Sequence, residues 1–116
     1  MRVTARPEKQ LAEVATGVRR AIYFDAPEGA RELSLGIAEV DPGKEIPVHR
    51  HRTEEGFHVL EGSGVAVVGD EQRPISAGSF CVMPAGEWHS IRNTGTGVLR
   101  IVMAFAGTEV KPEWRA

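Results

Sequence analysis

Glycine and proline punctuate this chain so densely that its apolar residues fall into runs no longer than a short strand. Thirteen glycines and seven prolines are spread over 116 residues. A helix does not tolerate such breaks, whereas antiparallel strands joined by tight turns require them. The pattern predicts strands over residues 18–24 and 32–40, the latter ended by Asp41-Pro42-Gly43, where proline sets φ and glycine accepts a positive one. Residues 55–60 and 64–68 are expected to form a hairpin around Glu61-Gly62-Ser63. Gly69-Asp70-Glu71 then leads into 72–75, Ala77-Gly78 turns again, and 80–83, 87–92 and 98–106 complete the set, with 93–97 as a turn. Only residues 8–15 have helical composition, enough for one or two turns. The expectation is an all-β barrel or jelly roll of about eight to ten strands.

Size predicts one domain over 1–116, with residues 1–16 as an N-terminal arm and 107–116 as a C-terminal tail. Fourteen basic against sixteen acidic residues give a net charge of −2, which exerts no general pull on nucleic acid or an anionic membrane. A lone cysteine, Cys81, cannot close an internal disulfide and suits a reducing compartment. The N-terminus has basic residues without an apolar stretch behind them, and the longest apolar run, 101–107, is too short to span a bilayer. A cytoplasmic protein is expected.

Two glycine-bounded segments carry the chemistry. The first runs from Gly43 through His49, His51 and Glu55 to Gly62; the second runs from Gly78 through Pro84, Gly86 and His89 to Asn93. His49, His51 and Glu55 differ by even steps, so one extended strand would present all three on one face. The same parity turns Phe57 and Val59 inward and His58 and Leu60 outward; on the second segment it turns His89 and Ile91 inward and Trp88 and Ser90 outward. Three imidazoles and a carboxylate suit one divalent transition metal ion (Fe, Mn, Ni, Co, Cu or Zn), with two positions of an octahedral ion left open. Gly62 and Gly86 permit the reversals that bring the segments together, and Asn93 is suited to tying a loop.

The two segments resemble the paired motifs of the cupin superfamily. The first is Gly, five residues, His-x-His, three residues, Glu, six residues, Gly; the second is Gly, five residues, Pro-x-Gly, two residues, His, three residues, Asn. Every specified position is filled, and Ser79 departs from the usual Asp in a turn remote from the ligands. The resemblance implies a double-stranded β-helix with metal at His49, His51, Glu55 and His89, and often a homodimer. Here an arm at residues 2–8 could pair with a partner's sheet edge.

The function implied is a metal-dependent enzyme acting on a small oxygen-bearing molecule. A dioxygenase is the first reading, because open metal positions and an apolar pocket suit it; a decarboxylase of the oxalate type, an isomerase and a cyclase are the others. Outside that class stand a metal-dependent small-molecule binding or sensor module and a purely structural barrel. No residue is assigned as general acid or base. His58 and the neighbouring carboxylate Glu54 are expected to face away, and Cys81 to be a buried small hydrophobe. Tyr23 can donate a proton, but strand core packing is its expected role; Phe57, Phe80, Phe105, Met83 and Met103 suggest a largely apolar cavity wall, or simply fill the barrel. Arg20, Arg31 and Arg92 can anchor a carboxylate, but solvated surface positions are the expectation for all three.

Overall fold

The protein is described here by a computed structural model, which covers residues 1–5, 10–108 and 110–115. Among these residues there are eleven strands and no α-helix: β1 Ala12–Ala15, β2 Val18–Phe24, β3 Leu33–Val40, β4 Glu45–Arg50, β5 Glu55–Glu61, β6 Ser63–Val68, β7 Glu71–Ser76, β8 Phe80–Met83, β9 His89–Asn93, β10 Leu99–Ala106 and β11 Glu113–Trp114. A single 3-10 turn, Ala26–Glu28, follows β2. The strands form two antiparallel sheets, ordered β1-β2-β3-β10-β5-β8 and β11-β4-β9-β6-β7. No helix is long and apolar enough to cross a membrane.

Strict alternation builds the core. In β10, Leu99, Ile101, Met103 and Phe105 are buried, and their register partners on β3 include Val40, Ala38 and Ser34. Val59 and Phe57 of β5 lie on the same inner face, and the second sheet answers with Ile46, Ala66, Ile75 and Ile91. Apolar side chains on facing sheets interdigitate to close such a sandwich.

Three expectations fail, each for a physical reason. Residues 55–60 and 64–68 are strands but not a hairpin, because β5 and β6 lie in different sheets. Only Gly62 separates them, and one residue cannot close an antiparallel pair. Gly62 has φ +89°, and a Cβ there would lie 2.6 Å from the Val98 carbonyl oxygen; it is the corner where the chain changes sheet. The helical expectation over 8–15 also fails where it can be followed: Ala12–Ala15 is a strand paired with β2, and residues 8 and 9 lie outside the described residues. A helix of one or two turns is unstable alone, whereas an open sheet edge supplies backbone partners at once. The strand number exceeds eight to ten because short β1 and β11 extend one edge of each sheet. The predicted pairing of residues 2–8 with a partner falls partly on residues 6–8, outside the described residues.

Candidate metal centre

The four predicted donors converge, though not from one strand. His49 lies on β4 and its register partner is His89 on β9, so the two imidazoles stand side by side on one face of the second sheet. His51 follows the end of β4, and Glu55 opens β5 in the other sheet, opposite Phe105 and Met83. The expectation of a single strand carrying His49, His51 and Glu55 is therefore corrected: the chain crosses between sheets at residues 51–54, and each sheet aims its own donors inward. A hydrogen bond from the Gly86 N–H to the His51 carbonyl, 2.8 Å, joins the two segments at this crossing, where Gly86 has φ +77°.

All four side chains are buried, and one ligand atom from each lies within 4.8 Å of the others. The Nδ1–H of His49 donates to the Pro47 carbonyl at 2.7 Å, and that of His89 to the Glu87 carbonyl at 2.9 Å. These bonds fix the tautomer and leave each Nε2 as a lone-pair donor aimed at the cavity. Nε2 of His51 and of His89 stand 3.4 and 3.6 Å from Glu55 Oε1, yet both lack a hydrogen-bond partner. Burial drives the His49 pKa down to about 4, against the opposing Pro47 carbonyl. Burial pushes the Glu55 carboxyl upward, but the His51 and His89 imidazoles outweigh it and hold the group below its ordinary value. Imidazoles with orphaned Nε2 atoms beside a carboxylate held below its ordinary value fit a divalent transition ion in donor type.

The donors face a small, partly open void of about 30 Å³, walled by Ile46, Ile91, Met103 and Phe105 and lined also by Arg20, Val14 and Trp114. A larger solvent-facing depression of about 860 Å³ shares only His51 and Phe105 of these residues, so the chemistry belongs to the smaller space.

Other expectations divide. His58 faces away, its Nδ1 3.1 Å from the Ser79 carbonyl and its ring 4.1 Å from that of Phe80, and Glu54 is exposed. Asn93 ties its loop as expected. Cys81 is half-buried against the core and is not one of the converging donors. Phe57, Phe105, Met83 and Met103 pack inside, but Phe80 is 83% exposed, on the outer face of edge strand β8, and so is no wall of the cavity. Ser90 does not line the donor void, although it is buried. Tyr23 is buried, but by parity on the outer side of β2, away from the donors.

Arg31 is exposed and Arg92 bonds Gln72 at 3.2 Å, whereas Arg20 is half-buried and lines the donor cavity, against the surface expectation. Its signal was the even step from buried Val18. Trp114 was missed altogether: β11 pairs it with His49, and the two rings lie 4.9 Å apart. A two-residue strand has no period from which to predict it.

Comparison with known proteins agrees with this geometry. The family model described as "Cupin domain" matches residues 36–105, more than half of the chain. Auxin-binding protein 1 of Arabidopsis thaliana is 30% identical over 92 residues, covering 72% of this chain and 46% of its own length. Dimethylsulfoniopropionate lyase DddW of Ruegeria pomeroyi is 36% identical over 90 residues, covering 77% and 59%. The chain thus spans about half the length of the curated relatives it matches. Among solved structures, the polyketide cyclase RemF from Streptomyces resistomycificus superposes with a TM-score of 0.86 at 24% identity, covering all of this chain and 86% of that one.

Proposed function

The chain belongs to the cupin family, and from that membership we propose that it is a metal-dependent enzyme whose ion is held by His49, His51, Glu55 and His89. The observation that carries this reading is the pair of buried, unpartnered Nε2 atoms on His51 and His89 facing Glu55. Leaving a buried polar atom unpaired costs about 1–3 kcal/mol, a penalty that a shared cation removes. When bound, a divalent transition ion supplies Lewis acidity or, for a redox-active metal, oxygen activation. The residues do the rest: the Pro47 and Glu87 carbonyls orient two imidazoles, Glu55 offsets charge, and Ile46, Ile91, Met103 and Phe105 exclude water.

Dioxygenation of a small oxygen-bearing molecule is the reaction that suits this site best. Apart from the four donors, no described residue lining the cavity is a histidine, carboxylate, lysine or tyrosine. Reactions that depend on a separate protein general base therefore find none here. A binding module that returns its ligand unchanged is the second reading, favoured by the likeness to an auxin-binding protein. Protein loaded with Fe(II) is expected to consume dioxygen only when its substrate, sought among small hydroxy and keto acids and diols, is present. Zn(II)-loaded protein should bind the same compound without uptake. Recovery of every stabilising compound intact, with Fe(II) and air present, would leave the binding module standing instead.

The proposal extends to the assembly, a cytoplasmic homodimer. Leu33, Leu35, Leu60, Phe80 and Val82 are exposed on the outer face of the first sheet, an apolar surface of the kind that self-association covers. Light scattering should give about twice 12.6 kDa, and Phe80→Asp should shift it toward the monomer. A wild-type monomer at micromolar concentration would defeat this.

A further inference from the structure

Resting on the metal-centre reading, we infer that Arg20 selects anionic ligands for this site, its guanidinium engaging a carboxylate group of the small molecule that enters. Arg20 follows buried Val18 by two residues on β2, and its register partner is Ala38, which is 1% exposed. It therefore sits on the inner face, and it lines the same void as His49, His51, Glu55 and His89. Its neighbour Arg19 takes the outer face and is spent on Glu39 and Asp41, at 3.5 and 2.8 Å.

The inward arginine lines the donor void without a partner, unlike the arginines that are engaged at the surface. Arg50 pairs with Glu113, Arg73 with Glu71, and Arg100 with both Glu39 and Glu61. Among the described residues, the Arg20 guanidinium has no hydrogen bond or ion pair. It feels the field of Glu55, but that carboxylate is already turned toward two imidazoles. Burial lowers the Arg20 pKa, and the Glu55 charge opposes the shift; a guanidinium stays protonated regardless.

Charge balance then dictates the ligand. A divalent ion with Glu55, three neutral imidazoles and Arg20 leaves an excess of two positive charges in a space walled by apolar side chains. A neutral ligand leaves that excess uncompensated in a medium that solvates it poorly, whereas an anion relieves it. Guanidinium matches the planar carboxylate in geometry as well as charge. The class is a small carboxylic acid with a second oxygen function free for the ion.

The competing role for Arg20 is a structural counter-charge to Glu55, and discrimination between ligands separates the two. Wild type, Arg20→Gln and Arg20→Lys are loaded with Co(II), assayed for cobalt content, then titrated calorimetrically with malonate and with its neutral diamide, malonamide. All three proteins should hold about one cobalt per chain. Wild type should prefer malonate, Arg20→Gln should lose about 10- to 100-fold in malonate affinity with malonamide unchanged, and Arg20→Lys should keep part of the preference. Equal malonate affinity in wild type and Arg20→Gln, or no preference in wild type, overturns the inference. Failure of wild type to bind cobalt is a separate outcome that removes the metal-centre reading beneath it.

Discussion

β9 ends on a buried polar side chain at both extremities, and the two are used in opposite ways. At its C-terminal end, Asn93 is fully engaged: Nδ2 donates to the Val40 and Gly97 carbonyls at 2.8 Å each, and Oδ1 accepts the Gly95 N–H at 2.9 Å. At its N-terminal end, His89 binds the Glu87 carbonyl through Nδ1 and leaves Nε2 buried without a partner. Buried polar groups are nearly always satisfied, so two unsatisfied Nε2 atoms, on His89 and His51, converging on Glu55 mark a place built for something else. The same strand thus separates a polar group that holds the fold from one that awaits a ligand.

The largest test of that contrast removes a donor. Wild type should carry about one transition-metal equivalent per chain, and replacing His49, His51, Glu55 or His89 by Ala should remove most of it, since the remaining donors do not close the site. Elemental analysis of the purified variants checks this, and a His89→Ala protein that keeps its metal breaks the assignment.

At the other end the sign reverses. Asn93→Ala strands two carbonyls and an N–H that now share one side chain, and should destabilise the protein by about 2–4 kcal/mol while leaving metal content per folded chain unchanged. Urea unfolding and elemental analysis on the same sample give both numbers. Metal loss from folded Asn93→Ala would show that the two ends are coupled.

Acid should sharpen the contrast, because only the donor end titrates. His49 sits at about 4 when folded, against a reference of about 6.5 when unfolded. A depressed pKa means that the unfolded chain takes up the proton first, so this contribution is intact above about pH 6.5 and is lost as pH falls toward 4. Glu55, also depressed, acts in the same direction at lower pH. Metal-free protein should lose about 1 kcal/mol by pH 5.5, at a limiting slope of about 1.4 kcal/mol per unit. Metal adds stability at neutral pH that disappears over the same descent, since protons compete for the imidazoles. A melting temperature that climbs on mild acidification contradicts the tautomer assignment.

How much of this was legible in the sequence depends on the range of the signal. His49, His51, Glu55 and His89 were readable because fixed spacing and strand parity survive any detail of pairing. Asn93 was readable because its loop contacts lie within four residues of it. The β5–β6 connection was misjudged because glycine marks a reversal without saying whether the chain stays in its sheet. The strand Ala12–Ala15 was hidden by helical composition, since pairing at a sheet edge is a tertiary effect that local propensity does not contain. Arg20 carries the parity of an interior position but a charge that points to the surface, and here alternation prevails. Phe80 is the reverse case: its aromatic character suggests core, but it stands on an outward position of β8.

The smallest expected effect concerns the fourth histidine. His58 has the same side chain as the ligands and lies next to buried Phe57, but its parity is outward and its Nδ1 is paired with the Ser79 carbonyl at 3.1 Å. Its ring stacks on exposed Phe80 at 4.1 Å, in water on one side. If satisfaction and direction decide function, His58→Ala must leave metal content untouched and change stability by no more than about 1 kcal/mol, the net worth of one partly exposed hydrogen bond. The comparison is demanding because composition cannot distinguish the four histidines; only placement can. Elemental analysis of His58→Ala beside His89→Ala, purified together, makes the measurement, and metal loss from the His58 variant would mean that burial and missing partners are not what singles out the site.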